Sequence, residues 1–228
     1  HRDKALPLLG VANFVQVLHS PSFQGAIANT LILGASVATL VTALSAVAGW
    51  CVARRMPGGR LLDALVALPL VFPAIVLGLA FLEIFVHGGG GIYGTLLSLV
   101  IVSVIAYMPY GLRYAQLGVI QIHPELEEAA AVAGARRAMG FIRVVLPLLV
   151  PALISCWLFI FLLAVRAVSL LLLLTGSDSQ IVSVALFDLW NNGQIGEVAA
   201  LGCIWTAVMT VFSVAFLVVA RRYQLPIG

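Results

Sequence analysis

The residues whose types and spacing point most clearly to a function form a short polar stretch between two long apolar runs. Pro124 suits the first position of a helix, and Glu125, Glu127 and Glu128 fall in its opening turns, where the helix dipole favours negative charge. Gly134 ends the run, and arginines follow it. The sequence therefore predicts a short helix with a defined start and stop.

The chemistry of this helix favours recognition by another protein. Helices that lie in the lipid headgroup layer usually carry Lys and Arg opposite bulky Trp, Phe or Leu, whereas this helix is acidic and rich in Ala. Small residues beside a carboxylate fit the groove of a partner protein better than an anionic lipid surface. A solvated loop is the alternative interpretation.

Two ionisable side chains, Glu83 and Arg166, lie well inside apolar runs. Placing a charge in hydrocarbon costs a few kcal/mol, roughly, so each residue needs a reason. We expect both at similar depth near one membrane surface, where they can pair or extend towards water. The other interpretation places Glu83 and Arg166 on a translocation path.

Residue sets that would support an enzyme are missing from the sequence. It contains no GxxxxGK[ST] phosphate loop, no HExxH pair and no Ser/His/Asp arrangement. The run His87-Gly88-Gly89-Gly90-Gly91 is similar to the oxyanion loop of some hydrolases, but no G-x-S-x-G turn accompanies it. Cys51, Cys156 and Cys203 lack the spacing of a zinc site or a disulfide framework. We expect no enzymatic activity, metal or cofactor in this chain.

The composition identifies the solvent as lipid. Of 228 residues, 62% are hydrophobic and 9% charged, with a mean hydropathy of +1.13, whereas a soluble domain carries about a quarter of its residues as charges. The Lys and Arg residues stand at the ends of apolar runs and form no aromatic-interleaved patch, which argues against nucleic acid as a partner.

We predict an all-α polytopic bundle of about five transmembrane helices, forming a single domain over residues 1–228. An apolar helix of about 20 residues crosses the roughly 30 Å of hydrocarbon, and continuous apolarity excludes the alternation of a membrane strand. The predicted spans are 27–53, 61–86, 94–118, 145–174 and 197–220, with the polar loop at 119–144 and kinks at Pro69, Pro73, Pro109 and Pro151.

The positive charges predict the orientation of the chain. Of twelve basic residues, nine fall on one side, which the positive-inside rule assigns to the cytoplasm. These nine are Arg54, Arg55, Arg60, Arg113, Arg136, Arg137, Arg143, Arg221 and Arg222. The outer loops, 87–93 and 175–196, have none. We therefore expect the N-terminus outside, the C-terminus inside, and further chain before residue 1, which is not Met.

The polar loop resembles the EAA loop of ATP-binding cassette importer permeases, whose pattern reads EAA, three residues, Gly, nine residues, Ile, any residue, Leu, Pro. Here Glu128-Ala129-Ala130, Gly134 and Leu146-Pro147 meet that spacing over twenty positions, and Val144 replaces the Ile. The loop also falls after three predicted spans and before two, as in that family.

Two further segments resemble the ferric-iron branch of these permeases. They are Asn29-Thr30-Leu31 at the start of the first span and Leu186-Phe187-Asp188-Leu189-Trp190-Asn191-Asn192-Gly193-Gln194 before the last. In that branch the fourth span often carries an Arg-Glu pair, whereas here Ala167 follows Arg166. The chain resembles the C-terminal half of a fused, two-half permease.

The resemblance implies a role in ATP-driven import across the bacterial cytoplasmic (inner) membrane. Its expected partners are two cytoplasmic ATPase subunits, which bind the ATP, a second permease half, and a substrate-binding protein outside. The residues implied in ATPase coupling lie in the 124–140 loop and just after it: Glu127, Glu128 as the anchoring charge, Ala129, Ala130, Gly134 as the sharp turn, Leu146, and Pro147 as the start of the next span.

Contacts with the binding protein are expected at Asp178 and Asp188, for which a solvated loop is the alternative. The implied substrate is ferric iron, ahead of thiamine, a polyamine or a phosphonate. A self-sufficient secondary transporter or channel remains the rival class, although it should show paired repeats and several intramembrane charges. A membrane-embedded hydrolase comes third.

Overall fold

The computed structural model describes residues 11–88 and 91–222. Gly89 and Gly90 of the glycine-rich run and the expected continuation before residue 1 lie outside that part of the chain. The described residues confirm the all-α prediction: they form a polytopic helical bundle without strands. The described residues divide into two compact units, one built from residues 11–33, 78–88, 91–99 and 165–222 and the other from residues 34–77 and 100–164.

The helices follow one another in a simple order. They are α1 (Val11–His19), α2 (Pro21–Ala53), α3 (Gly59–Ala67), α4 (Ala74–His87), α5 (Leu96–Ile120), α6 (Glu125–Val132), α7 (Arg137–Gly140), α8 (Leu146–Val165), α9 (Val182–Asn191) and α10 (Ile195–Arg222). A 3₁₀ turn, Leu68–Val71, extends α3, and a π-helical turn, Phe141–Val145, joins α7 to α8.

Four helical segments within the described residues are long and apolar enough to cross a membrane. They are Pro21–Ala53, Leu96–Ile120, Arg137–Val165 and Ile195–Val214. Large apolar side chains on them remain exposed, for example Leu44 at 52% and Leu117 at 62%. Exposure on this scale suits contact with lipid or with another transmembrane protein.

The expected span 61–86 is not one straight helix. The chain turns by 104° between Gly59–Val71 and α4, so the two pieces make a fifth span only if the bent pair is counted as one. Pro69 and Pro73 explain the break, because proline lacks the N–H that a continuing helix requires and its ring crowds the preceding turn. Apolarity alone does not reveal such a break.

The expected span 145–174 is also wrong at its end. Helix α8 stops at Val165, and the next residues form turns. The Ser183 hydroxyl donates to the Ala167 carbonyl at 2.6 Å, and Tyr93 donates to Leu173 at 3.3 Å. Gly78 lies against this segment, since a Cβ added at Gly78 would come within 2.5 Å of the Leu170 carbonyl oxygen. Irregular backbone is stable among apolar residues when its carbonyls find such donors.

The expected outer loop 175–196 is largely helical. Helix α9 buries Val182, Ala185 and Leu189 in a core cluster of the first unit, together with Val17 of α1 and Leu201 of α10. The turn before α9 is fastened to α2, since the Val182 N–H donates to the buried Thr30 hydroxyl at 2.9 Å. This region is therefore a packed element and not a solvated connector.

A core cluster of the second unit lies at the end of α2. Trp50 packs against Phe141 with ring centroids 4.7 Å apart, and the cluster also contains Val119, Val145 and Leu149. Aromatic pairs at this distance stabilise beyond the area they bury. This cluster supports the segment that carries the polar helix.

Candidate functional site: the α6 helix and its anchor

Helix α6 forms where the sequence predicts it and ends as predicted. Pro124 precedes its first residue, and three glutamates occupy its opening turn. Gly134 has φ +86°, a conformation that glycine adopts without strain. Its N–H donates to Ala131 O, and Ala135 N–H donates to Ala130 O, both at 2.9 Å. These two bonds are a Schellman motif, which satisfies the last carbonyls of the helix.

Helix α6 exposes small residues beside the Glu128 carboxylate. Glu128, Ala129 and Ala131 are exposed, and Val132 is 90% exposed. Ala130 is half-buried. Small residues beside a negative charge allow close approach by a partner's groove and offer an ionic contact to it.

The Glu127 side chain is turned towards the end of α2, which the sequence did not reveal. Its carboxylate accepts a hydrogen bond from Arg54 Nε at 2.6 Å and one from Trp50 Nε1 at 2.9 Å. The Arg54 and Glu127 side chains are 17% and 20% exposed. Glu127 thus fixes α6 to the end of α2.

Arg54 also binds the chain just before α6. Its Nη2 donates to the Ile122 carbonyl at 2.9 Å. One guanidinium thus joins three segments: the end of α2, the turn after α5 and the first turn of α6. Charge-assisted hydrogen bonds of this kind are stronger than neutral ones and set direction as well as distance. We call Trp50, Arg54 and Glu127 the α6 anchor.

The helical span that contains Leu146 and Pro147 begins earlier in the chain than expected. The helical run begins at Arg137, so Pro147 is inside it and not at its beginning. Leu146 packs partly buried on the Trp50 cluster. Because Pro147 cannot donate to the preceding turn, the backbone before it widens into the π-helical turn Phe141–Val145.

Glu83 and Arg166 do not pair with each other in the described structure. Glu83 is exposed and meets His87, one helical turn further on, at 3.1 Å. Arg166 is exposed just after the end of α8, where the backbone leaves the helix. Neither side chain is buried, so both can reach a polar environment without the other.

We expect Glu83→Gln and Arg166→Leu to act independently. Since no ion pair joins the two side chains, the coupling free energy in a double-mutant cycle should stay below about 0.5 kcal/mol. Thermal unfolding of the two single variants and the double variant, all in the same detergent, measures it. A coupling of 1 kcal/mol or more, roughly, would restore the ion pair.

Asp178 and Asp188 are both exposed. Asp178 sits in the turn before α9, and its carbonyl accepts a hydrogen bond from Asn29 Nδ2 at 3.0 Å. Asp188 lies on α9 and lines a cavity of about 400 Å³ with Gln180 and Asn191. The structure thus leaves both carboxylates accessible from the same packed region.

The comparisons with known proteins agree with this geometry. The family described as binding-protein-dependent transport system inner membrane component matches residues 42–225. The sulfate transport system permease protein CysT of Escherichia coli is 34% identical over 158 residues, which are 63% of this chain and 56% of that protein. This chain thus spans little more than half the length of that relative.

A second relative and a solved structure extend the comparison. The ferric transport system permease protein FbpB of Actinobacillus pleuropneumoniae is 28% identical over 79% of this chain and 26% of its own length. A bacterial alginate ABC transporter, crystallised with an alginate-bound periplasmic protein, has the same fold over 97% of this chain and 86% of its own, with a TM-score of 0.78 at 19% identity. The chain belongs to the family of binding-protein-dependent transport system inner membrane components.

Proposed function

We propose that this chain forms one half of the membrane path of an ATP-driven importer and receives the work of a cytoplasmic ATPase through α6. The observation that carries the proposal is that two neighbouring glutamates have different environments. Glu128 is exposed on a face of small residues, while Glu127 holds the helix to α2. A helix presented and fastened in this way can transmit force.

The anchor explains how a push on α6 would reach the membrane. The Arg54–Glu127 pair and the Trp50–Phe141 contact join α6 to the end of α2 and to the start of the run that becomes α8. A partner that moves α6 therefore moves the ends of two membrane helices with it. A helix on a flexible loop would absorb the same displacement.

The proposed assembly follows from the family. Two ATPase subunits bind the ATP below the membrane, a second permease half completes the path, and a substrate-binding protein delivers cargo from outside. Asp178 and Asp188 are the proposed contacts with the binding protein, and Glu83 and Arg166 the proposed polar groups near the path. The positive charges favour an inner-membrane orientation with the N-terminus outside and the C-terminus in the cytoplasm.

For the substrate we propose ferric iron first and sulfate second. The segments at residues 29–31 and 186–194 support ferric iron through their resemblance to that branch. The sulfate permease relative supports an oxyanion, with 34% identity. The two cargoes differ in the sign of their charge, and ATPase stimulation by a binding protein loaded with one or the other distinguishes them.

Changing Glu128 to Ala should abolish co-purification of the ATPase while leaving the membrane protein folded. Loss of one buried, hydrogen-bonded charge at an interface weakens binding by about thirtyfold, the equivalent of about 2 kcal/mol. Gly134→Pro should act in the same way, because proline cannot adopt φ +86°. The measurement is the amount of ATPase recovered with the permease in mild detergent.

The matched control is Glu125→Ala, which removes an exposed carboxylate from the same helix. Glu125 contacts only His123 among the ion pairs of the described residues, at 3.5 Å. This variant should retain the ATPase. Full recovery of the ATPase by the Glu128 variant would contradict the docking role. Transport driven by an ion gradient, with no ATPase at all, would favour a secondary transporter.

A further inference from the structure

A basic cavity lies between the end of α2 and helix α6. It has a volume of about 370 Å³ and is lined by, among others, Trp50, Arg54, Arg55, Glu127, Arg136 and Arg137. Four arginines and two glutamates contribute to its wall, which leaves a net charge of +2 (4 − 2). The α6 anchor forms one side of this cavity, but the anchor uses only part of its charge.

Three of the four arginines are left without an acidic partner. Arg54 is neutralised by Glu127. Among the ion pairs of residues 11–88 and 91–222, none involves Arg55, Arg136 or Arg137. Glu128 is the remaining carboxylate on the cavity wall. Three exposed arginines and one carboxylate leave an excess of positive charge in the wall, which favours an anion supplied from outside the chain.

Arg55 occupies a backbone position that normally belongs to glycine. Its φ is +50°, the left-handed region, and it alone among the described non-glycine residues has a positive φ. Its N–H donates to Val52 O, and Met56 N–H donates to Cys51 O, both at 3.0 Å, so α2 ends in a Schellman motif with Arg in place of Gly. That choice costs roughly 1 kcal/mol. Strained residues of this kind cluster where a ligand is held.

The cavity lies at the end of a helix that is long and apolar enough to span a membrane, so we expect it near the lipid headgroups. Helix α2 is one of the segments that can span the membrane, and it ends at Ala53. Trp50 and Met56 give the cavity wall an apolar side next to its charges. Basic pockets at the ends of membrane helices bind the phosphates of anionic lipids, and guanidinium groups match phosphate with two parallel hydrogen bonds.

We infer that this cavity binds a phosphate group through Arg55, Arg136 and Arg137. The phosphate is supplied by the headgroup of an anionic phospholipid or by free phosphate in solution. The site lies within the membrane chain itself. Arg54 and Glu127 neutralise each other, so that pair is not available to the ligand.

The test measures binding to the purified full chain with two probes used separately, short-chain phosphatidylglycerol and inorganic phosphate. The variant Arg55→Gln with Arg136→Gln removes two charges from the cavity. The control, Arg60→Gln with Arg143→Gln, removes two arginines that do not line it. The cavity variant should weaken binding at least about tenfold, since each charged hydrogen bond contributes about 1.5 kcal/mol or more. The control should change it less than about twofold.

Each outcome decides the inference. If the cavity variant loses phosphatidylglycerol binding and the control does not, the site is supported and a lipid headgroup is the source of the phosphate. If this pattern appears only with inorganic phosphate, free phosphate in solution is the source. Equal weakening by both double variants, or no binding of either probe, overturns the inference. If the Gln variant does not fold, Arg55→Lys with Arg136→Lys replaces it, because lysine keeps the charge. Its probe binding should weaken less than the tenfold expected for the Gln variant but more than that of the control.

Discussion

Glu127→Ala is expected to lower the free energy of unfolding by about 3 kcal/mol. The substitution leaves Arg54, whose side chain is only 17% exposed, without its carboxylate, and leaves the Trp50 N–H without its acceptor. Removing one partner from a mostly buried ion pair costs more than the pair itself contributes, because the remaining charge is poorly solvated. For a chain of this length, the melting temperature should fall by about 5–10 °C.

Glu128→Ala is the matched control, since it removes the neighbouring carboxylate from the exposed face of the same helix. Its effect on stability should stay within about 0.5 kcal/mol. Thermal unfolding of the two variants in one detergent makes the comparison, and Glu127→Ala with Arg54→Ala should cost less than the sum of the single changes. Similar melting temperatures for the Glu127 and Glu128 variants would show that Glu127 does not anchor α6.

Gly49→Ala is expected to cost about 2–3 kcal/mol by forcing helices α2 and α5 apart. A Cβ at this position would come within 2.6 Å of Ala115 Cβ and within 2.8 Å of the Gln116 backbone nitrogen. Backbone atoms cannot turn away as a side chain can, so the helix itself must move. Small residues allow such close helix approach in membranes, where no hydrophobic effect drives association.

Gly25→Ala in the same helix provides the control for this change. Nothing lies within 4 Å of a Cβ built at Gly25, so alanine there should stabilise α2 by up to about 1 kcal/mol through its better helix propensity. Thermal unfolding and the yield of monodisperse protein measure the opposite changes in stability that we expect for these two variants. If Gly49→Ala melts at or above the wild-type temperature, the close contact between α2 and α5 is wrong.

The sequence predicts the polar helix well because its signals are local. A proline before the helix, acidic residues in the first turn and a glycine after it each act through neighbouring backbone groups, and the structure has Pro124, Glu127 and Gly134 in those places. The difference between Glu127 and Glu128 is not local. It depends on Arg54, which is 73 residues from Glu127 along the chain, and adjacent positions of one residue type give no sign of which one faces inward.

The apolar run at residues 166–174 predicted a helix where the structure has turns. The reason is again that the deciding contacts are distant along the chain. Residues 166–174 are as hydrophobic as a span, but their carbonyls bond to Ser183 and Tyr93, which lie elsewhere in the chain. Hydrophobicity reports what is buried and does not report which hydrogen-bond partners are available. The prolines at 69 and 73 did carry a local signal, and the kink predicted from them is present as a bend of 104°.

The way α6 is fastened also determines how fast and how tightly a partner can dock. Ordering a backbone residue costs about 1–2 kcal/mol, so an eight-residue segment that folded only on contact would forfeit of the order of 10 kcal/mol of affinity. With its end closed by a Schellman motif and its first turn held by Arg54, α6 has lost that entropy before any encounter. A partner that binds α6 therefore meets a helix that is already ordered, and none of the binding free energy is lost to folding it.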